Sequence, residues 1–139
     1  NEPPVMALTS TYNGNVSVNE DSGTFTGRVV DSIQAGPSTA LDELSTQSVT
    51  LSIIGNSQPT LFASAPTIAN DGTLTFTPAS NRSGVAVLQL QARDNGSDTS
   101  PSNNLSSPVL ITITINPLND APVFSIPALA STRENQGYT

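Results

Sequence analysis

The chain has 139 residues, enough for one domain and a short tail. Eleven acids against four arginines leave a net charge of −7. The basic face that nucleic-acid binding requires is therefore missing. With no Cys, His or Lys, a disulfide framework, a thiolate zinc site, a Cys nucleophile, a His-dependent triad, Schiff-base chemistry and a Lys–Asn crosslink are all excluded.

Charged residues make up only 11% and apolar residues 35%, which argues for a folded chain over a disordered one. No apolar run approaches the roughly 20 residues of a membrane helix, so no direct membrane insertion is expected.

Taken in chain order, short alternating segments dominate. They include Val16 and Val18 about Ser17; Phe25, Gly27 and Val29 with Thr26 and Arg28; and Val49, Leu51 and Ile53 with Thr50 and Ser52. A short segment over Thr60–Ala63 follows, then Leu74 and Phe76 among Thr73, Thr75 and Thr77. Leu88, Leu90 and Ala92 alternate with Gln89 and Gln91, and Val109, Ile111, Ile113 and Ile115 close the series. A period of two marks half-buried strands, and the Thr, Val and Ile enrichment agrees. Turn residues separate the segments at Asn13-Gly14, Gly36-Pro37, Gly55-Asn56, Asn70-Asp71-Gly72, Asn81 to Gly84 and Asn95-Gly96. The best helical stretch is Thr39–Gln47, where one turn would face Leu41 and Leu44 inward.

About seven strands in roughly 110 residues predict an all-β chain, a seven-stranded antiparallel immunoglobulin-like β-sandwich, with a barrel as the structural alternative. The predicted core is Phe25, Val29, Leu51, Ile53, Leu74, Phe76, Leu88, Leu90, Ile111 and Ile113. If each strand runs against the one before, Asp31 and Asp94 share the amino-terminal pole with Asn1 and Glu2. Glu20 and Asp21 then share the far pole with Asn119 and Asp120.

The chain also echoes itself. Asn1-Glu2-Pro3-Pro4-Val5 returns as Asn119-Asp120-Ala121-Pro122-Val123, 118 residues later (1 to 119). Val18-Asn19-Glu20-Asp21 returns as Thr132-Arg133-Glu134-Asn135, 114 residues later (20 to 134). A period this long means a string of domains, because solenoid units run about 20 to 50 residues. The expected division is a linker from a preceding repeat over 1–7, a β-sandwich over 8–118, a linker over 119–124 and the truncated first strand of a next repeat over 125–139. An export signal would then lie elsewhere in a longer parent.

Ala92-Arg93-Asp94-Asn95-Gly96, an Ile/Thr strand and Leu118-Asn119-Asp120-Ala121-Pro122-Val123-Phe124 resemble the last third of a cadherin-like repeat, and Val18-Asn19-Glu20-Asp21 resembles its first-strand acidic motif. The similarity is to the bacterial cadherin-like tandem repeats of large surface proteins and adhesins, and it spans nearly the whole module. It implies calcium between consecutive domains, with Glu20 at the far pole, Asp94 at the amino-terminal pole, and Asn119 and Asp120 in the linker as ligands. Asp31 and Asp21 are further candidates, and Asn1 and Glu2 are the preceding linker's equivalents. The chain departs from the family in two places. Ala79 to Gly84 lacks the expected acidic motif, and Asp31-Ser32-Ile33 retains one acid of an Asp-x-Asp. One or two ions per junction are therefore implied.

Other readings stay open for these residues. Glu20 also fits a solvated strand-end charge, so that Glu20→Ala would leave the fold intact. Asp94 also fits a cap on the Asn95-Gly96 turn, Asn119 and Asp120 fit ordinary turn residues before Pro122, and Asp71 fits a hairpin turn. Asp42, Glu43 and Asp98 read as solvated.

The resemblance implies a structural or adhesive spacer, extracellular or on the cell surface, with adjacent repeats of the same chain as partners. A protein or glycan adhesion target and a monomeric isolated module are also expected. The alternative is a carbohydrate-binding or accessory module of a secreted polysaccharide-active protein. With no Trp, its one aromatic candidate within the module is Tyr12. No enzyme activity is expected, since the Asp42/Glu43 pair has no aromatic platform beside it.

Overall fold

Alternation organises the longest strand first. In the computed structural model, which describes residues 1–99 and 102–119, β-structure begins with β1 (Val5–Leu8), β2 (Asn15–Asn19), β3 (Phe25–Arg28) and β4 (Val30–Gln34). A single helical turn and a half, α1 (Leu41–Thr46), leads to β5 (Val49–Asn56), β6 (Phe62–Ile68), β7 (Thr73–Pro78), β8 (Gly84–Asp94) and β9 (Val109–Asn116). Asp120, the rest of the expected linker and the expected strand over 125–139 lie outside the described residues.

β8 runs antiparallel between β5 and β9, and β2 completes this sheet in the order β2-β9-β8-β5. Its inward row is Ala86, Leu88, Leu90 and Ala92, all fully buried. The opposing ladder is β3-β7-β6, and β4 pairs with β1. Residues of both ladders merge into one core, with Val16, Leu51, Leu88, Leu90, Ile111 and Ile113 from one side meeting Val30, Leu74 and Phe76 from the other. The chain is thus an all-β sandwich. Phe76 is its aromatic centre, stacked on Phe25 at 5.0 Å between centroids and met edge-on by Phe62 at 5.4 Å. Of the predicted core, Phe25 and Ile53 are only half-buried and the other eight are buried.

Nine strands are present among the described residues where seven were expected, because two expected segments each change partner. In the first, residues Thr9 to Gly14 turn the chain from β4 to β9. Asn13 and Gly14 both take left-handed backbone there, and the Asn13 N–H donates to Thr9 O at 2.8 Å. β1 therefore starts inside the segment 1–7 expected as linker. In the second, the break falls at Val29. Its N–H donates to Gly72 O at 2.9 Å, and its carbonyl accepts from the Thr9 N–H at 3.0 Å. β3 on one side of it pairs with β7, and β4 on the other pairs with β1. The sheet is also not wholly antiparallel: β2 pairs with β9 in parallel, from Asn15 opposite Thr112 to Asn19 opposite Asn116. Alternation does not say which strands are neighbours, so it could not reveal this.

The fourth segment is longer and later than expected. A 3₁₀ turn, Pro59–Leu61, occupies its predicted start and β6 follows. The helix is oriented opposite to expectation. Leu41 is 71% exposed, Leu44 is half-buried, and the buried residue of α1 is Glu43 at 5%.

The β6–β7 turn locks the two ladders together. Asp71 is the hairpin-turn residue expected, its carboxylate accepting the Thr73 N–H at 2.9 Å. Next to it Asn70 Oδ1 accepts the Leu51 N–H of β5 at 3.0 Å. Hydrogen bonds from the Thr73 side chain, then from its N–H, hold the Asp71 carboxyl below its ordinary value of 3.8. A lowered folded value means that its contribution is complete above the ordinary value and is lost only as pH falls through the folded one. Gly72 has φ +93° and lies so close to the Val30 carbonyl that a Cβ would strike it. Gly72→Ala is expected to cost at least about 2 kcal/mol, from left-handed backbone strain and displacement of β4. Urea denaturation of the two proteins measures this, and an unchanged midpoint would refute it.

Candidate metal centre

The inward row of β8 does not stop with its apolar residues. Two positions beyond Ala92, Asp94 is 2% exposed, so a carboxylate occupies the polar end of the core. β5 flanks it through the pairing of Val49 with Asp94. On the other side residues 104–106 return alongside: the Asp94 N–H donates to Asn104 O at 3.1 Å, Arg93 bridges Leu105, and the Ser106 N–H donates to Ala92 O at 2.9 Å.

Asp94 Oδ1 caps the following turn, accepting the Gly96 N–H at 2.7 Å, and receives Asn1 Nδ2 at 3.2 Å. Asn1 Nδ2 also faces Asn103 O at 2.9 Å and Ser97 O at 3.0 Å, and the Asn103 N–H donates to Asn1 O at 3.1 Å. Asn1 is thereby strapped across the 94–104 loop. Glu2 follows, its N–H donating to Glu43 Oε2 at 2.8 Å. Asn1, Glu2 and Asp94 thus meet at one pole, as predicted. Asp31 does not join them. The second expected segment continues three residues past it to Gln34, so Asp31 sits inside β4 opposite Ala7.

Five side-chain oxygens at or beside this pole are buried without any hydrogen-bond partner: Asn1 Oδ1, Glu43 Oε1, Gln47 Oε1, Asp94 Oδ2 and Asn104 Oδ1. All are acceptors. Glu43, Asp94 and Asn104 are each more than nine-tenths buried. Gly96 borders part of this cluster, whereas Glu43 Oε1 lies against Gly36. A Cβ at Gly96 would strike Asn1 Oδ1 and stand 2.8 Å from Gln47 Oε1, and the Gly96 carbonyl accepts Asn104 Nδ2 at 3.4 Å. The only ion pair among the described residues joins Glu43 to the α-amino group of Asn1 at 3.7 Å. A cleft of about 310 Å³ bordered by Ser48, Arg93, Asp94, Gly96 and Asn104 opens beside the cluster. An orphaned buried acceptor costs about 1–3 kcal/mol, so five together require something positive or donating among them. Two carboxylates and three amide oxygens suit a hard divalent cation such as calcium.

The far pole is built differently. Glu20 is 5% exposed, and its Oε1 accepts the Leu118 N–H at 2.8 Å, while its own N–H donates to Asn116 O at 2.9 Å. It is not a solvated strand-end charge. It holds the outgoing segment against the fold. Asp21 beside it is exposed in left-handed backbone (φ +62°), and Asn119, next after Leu118, is exposed. Asp120 lies outside the described residues. No three acids or histidines group together among the described residues.

Glu43, Gln47 and Asn104 escaped the sequence reading. Glu43 is buried where a solvated side chain is expected, whereas Asp42 and Asp98 are exposed as expected. The available signal was the spacing of four from Glu43 to Gln47, which favours one side of a helical turn. Asn104 carried no signal in so Asn-rich a chain.

No family model matches the chain, and no curated protein or solved structure matches it.

The buried Glu20 bond gives its removal a cost in stability that a solvated strand-end charge would not have. Glu20→Ala is expected to cost about 1.5–3 kcal/mol, the range for a hydrogen bond to a charged group. It should also speed amide exchange at Leu118. Exchange at Leu118 as slow as in the parent protein would refute the clamp.

Proposed function

We propose that this chain is a structural, adhesive spacer: one module of a tandem array on an extracellular or cell-surface protein, similar to the bacterial cadherin-like repeats. The observation that carries the reading is that both ends of the sandwich grip the chain passing through them. Asp94 binds Asn1 at one pole, and Glu20 binds the Leu118 N–H at the other. Asn1 and Glu20 lie in segments that the sequence repeats.

Strand pairing supports the finer topology. If β1 with β2, and β3 with β4, are each one strand that changes partner, seven strands remain. They form two layers, with the first strand running parallel to the last. That arrangement is compatible with an immunoglobulin/cadherin-like sandwich.

The mechanical role follows from the clamps. A carboxylate already held by the fold takes a linker N–H or amide with little further entropy to lose, so the direction of each linker is set by its module. Calcium, when bound, supplies charge neutralisation among the acids at each junction. Adjacent repeats of the same chain are the proposed partners. The carbohydrate-binding alternative gains no support from Tyr12, whose ring is half-buried and packed edge-on against Phe25 at 5.7 Å. No catalytic role is proposed for Asp42 and Glu43, which diverge to opposite environments on α1.

The test is a chain of two consecutive repeats, studied by small-angle scattering and calorimetric titration. Calcium is expected to bind at or below millimolar concentration and to narrow the spread of end-to-end distances. No binding at millimolar calcium, or an unchanged scattering profile, would overturn the junction reading.

A further inference from the structure

We infer that the amino-terminal pole is a calcium site complete within one chain, in which Glu43 of α1, Gln47 and Asn104 act as ligands together with Asp94 and Asn1. Of these five residues the resemblance supplies Asp94 and Asn1. The other three come from the orphaned oxygens themselves. The inference rests on the calcium reading above but departs from it in placing the ion within one module and not between consecutive domains.

The inventory of oxygens carries the argument. Glu43 Oε2 and Asp94 Oδ1 are satisfied by N–H groups, while the second oxygen of each carboxylate, Oε1 and Oδ2, is buried with no donor. The Asn1 amide nitrogen is turned toward Asp94, Ser97 and Asn103, which leaves its Oδ1 free on the opposite side against Gly96. Gln47 Oε1 approaches the same glycine, and Asn104 is tethered to its carbonyl. A side chain at position 96 would fill this space.

Water is the competing occupant. One water donates two hydrogens, so five acceptors would need several ordered molecules, and no water would offset the buried Asp94 charge, that of Glu43 already facing the Asn1 α-amino group at 3.7 Å. A single calcium ion takes about six to eight oxygens at about 2.3–2.6 Å and neutralises carboxylates as it binds them. Magnesium needs near-octahedral geometry at about 2.0–2.1 Å and sheds water reluctantly, so three amide and two carboxylate oxygens from four separate stretches of chain favour the larger ion. Arg93 at the rim of the neighbouring cleft is exposed and is the one arginine that borders it.

The experiment is calorimetric titration of the 139-residue chain with calcium and, separately, magnesium, with the side-chain amide resonances of Asn1, Gln47 and Asn104 followed by NMR. The expected result is one calcium per chain at the amino-terminal pole, with Kd below about 10⁻⁴ M, tighter than the weaker range of extracellular modules. Magnesium should bind at least about tenfold more weakly. The three amides should shift together. Glu43→Gln should weaken calcium at least about tenfold, whereas Asp42→Asn, on the exposed side of the same helix, should not. Asn104→Asp keeps the shape and adds charge, so it should tighten calcium several-fold and gain thermal stability only when calcium is present.

If Glu43→Gln fails to fold, the Asn104→Asp result and the three amide shifts decide the matter. Calcium binding with no shift of these amides would put the ion elsewhere and overturn the inference. Binding by a two-repeat chain but not by the single chain would overturn it while leaving the junction reading intact. Binding at this pole with no calcium effect on two-repeat scattering would uphold it and overturn the junction reading. Loss of stability by Asn104→Asp, equal with and without calcium, would assign the space to water.

Discussion

The structure depends on the side-chain period of two in β8. This strand is flanked on both sides, so its register cannot slip by one residue without turning Ala86, Leu88, Leu90 and Ala92 out of the core. The same constraint reaches Asp94 at the end of the row and forces a carboxylate inward. A buried carboxylate must be met by donors or by positive charge. The polar cluster at the pole is thus a consequence of how the apolar row is packed. The loop that returns over 104–106 and the strap at Asn1 are the chain's response to it.

A similar logic governs the other end. Glu20 follows β2 directly, and the parallel pairing of β2 with β9 brings its carboxylate to the backbone just beyond Asn116. An antiparallel pairing would have brought β2 past the start of β9 instead, away from the outgoing segment. The parallel ladder therefore decides which piece of chain Glu20 can hold. The two poles are chemically unequal as a result. The far clamp has a partner for its carboxylate in a backbone N–H, whereas the near cluster retains five oxygens with none.

Each partner change in the chain follows from local backbone chemistry. At Asn13-Gly14 two consecutive left-handed residues divert the chain sharply enough for it to leave β4 and reach β9. At Val29 both backbone groups are taken by residues outside β3 and β4, Gly72 and Thr9, so the strand passes from one neighbour to the other without an unpaired group. Gly72 makes this possible because a Cβ at that position would collide with Val30. The β6–β7 turn thus sets the local shape of a strand far from it in sequence.

By itself the sequence determined where most strands lie, where the chain turns, and that Asn1, Glu2 and Asp94 share one pole. Alternation and turn chemistry are local, and eight of ten predicted core residues are buried accordingly. Asp71 was legible for the same reason, since its partner Thr73 is two residues away. Tertiary structure alone decided the parallel β2–β9 ladder, the break at Val29, the confinement of Asp31 within β4 and the inward turn of Glu43. Each depends on hydrogen-bond partners distant in sequence. On a single helical turn, hydrophobic periodicity is too short to outweigh the N–H of Glu2 awaiting a carboxylate, so Leu41 faces out and Glu43 faces in. The orphaned oxygens of Asn1, Gln47 and Asn104 were illegible because an amide in an Asn- and Ser-rich chain looks like any other until the fold brings several together.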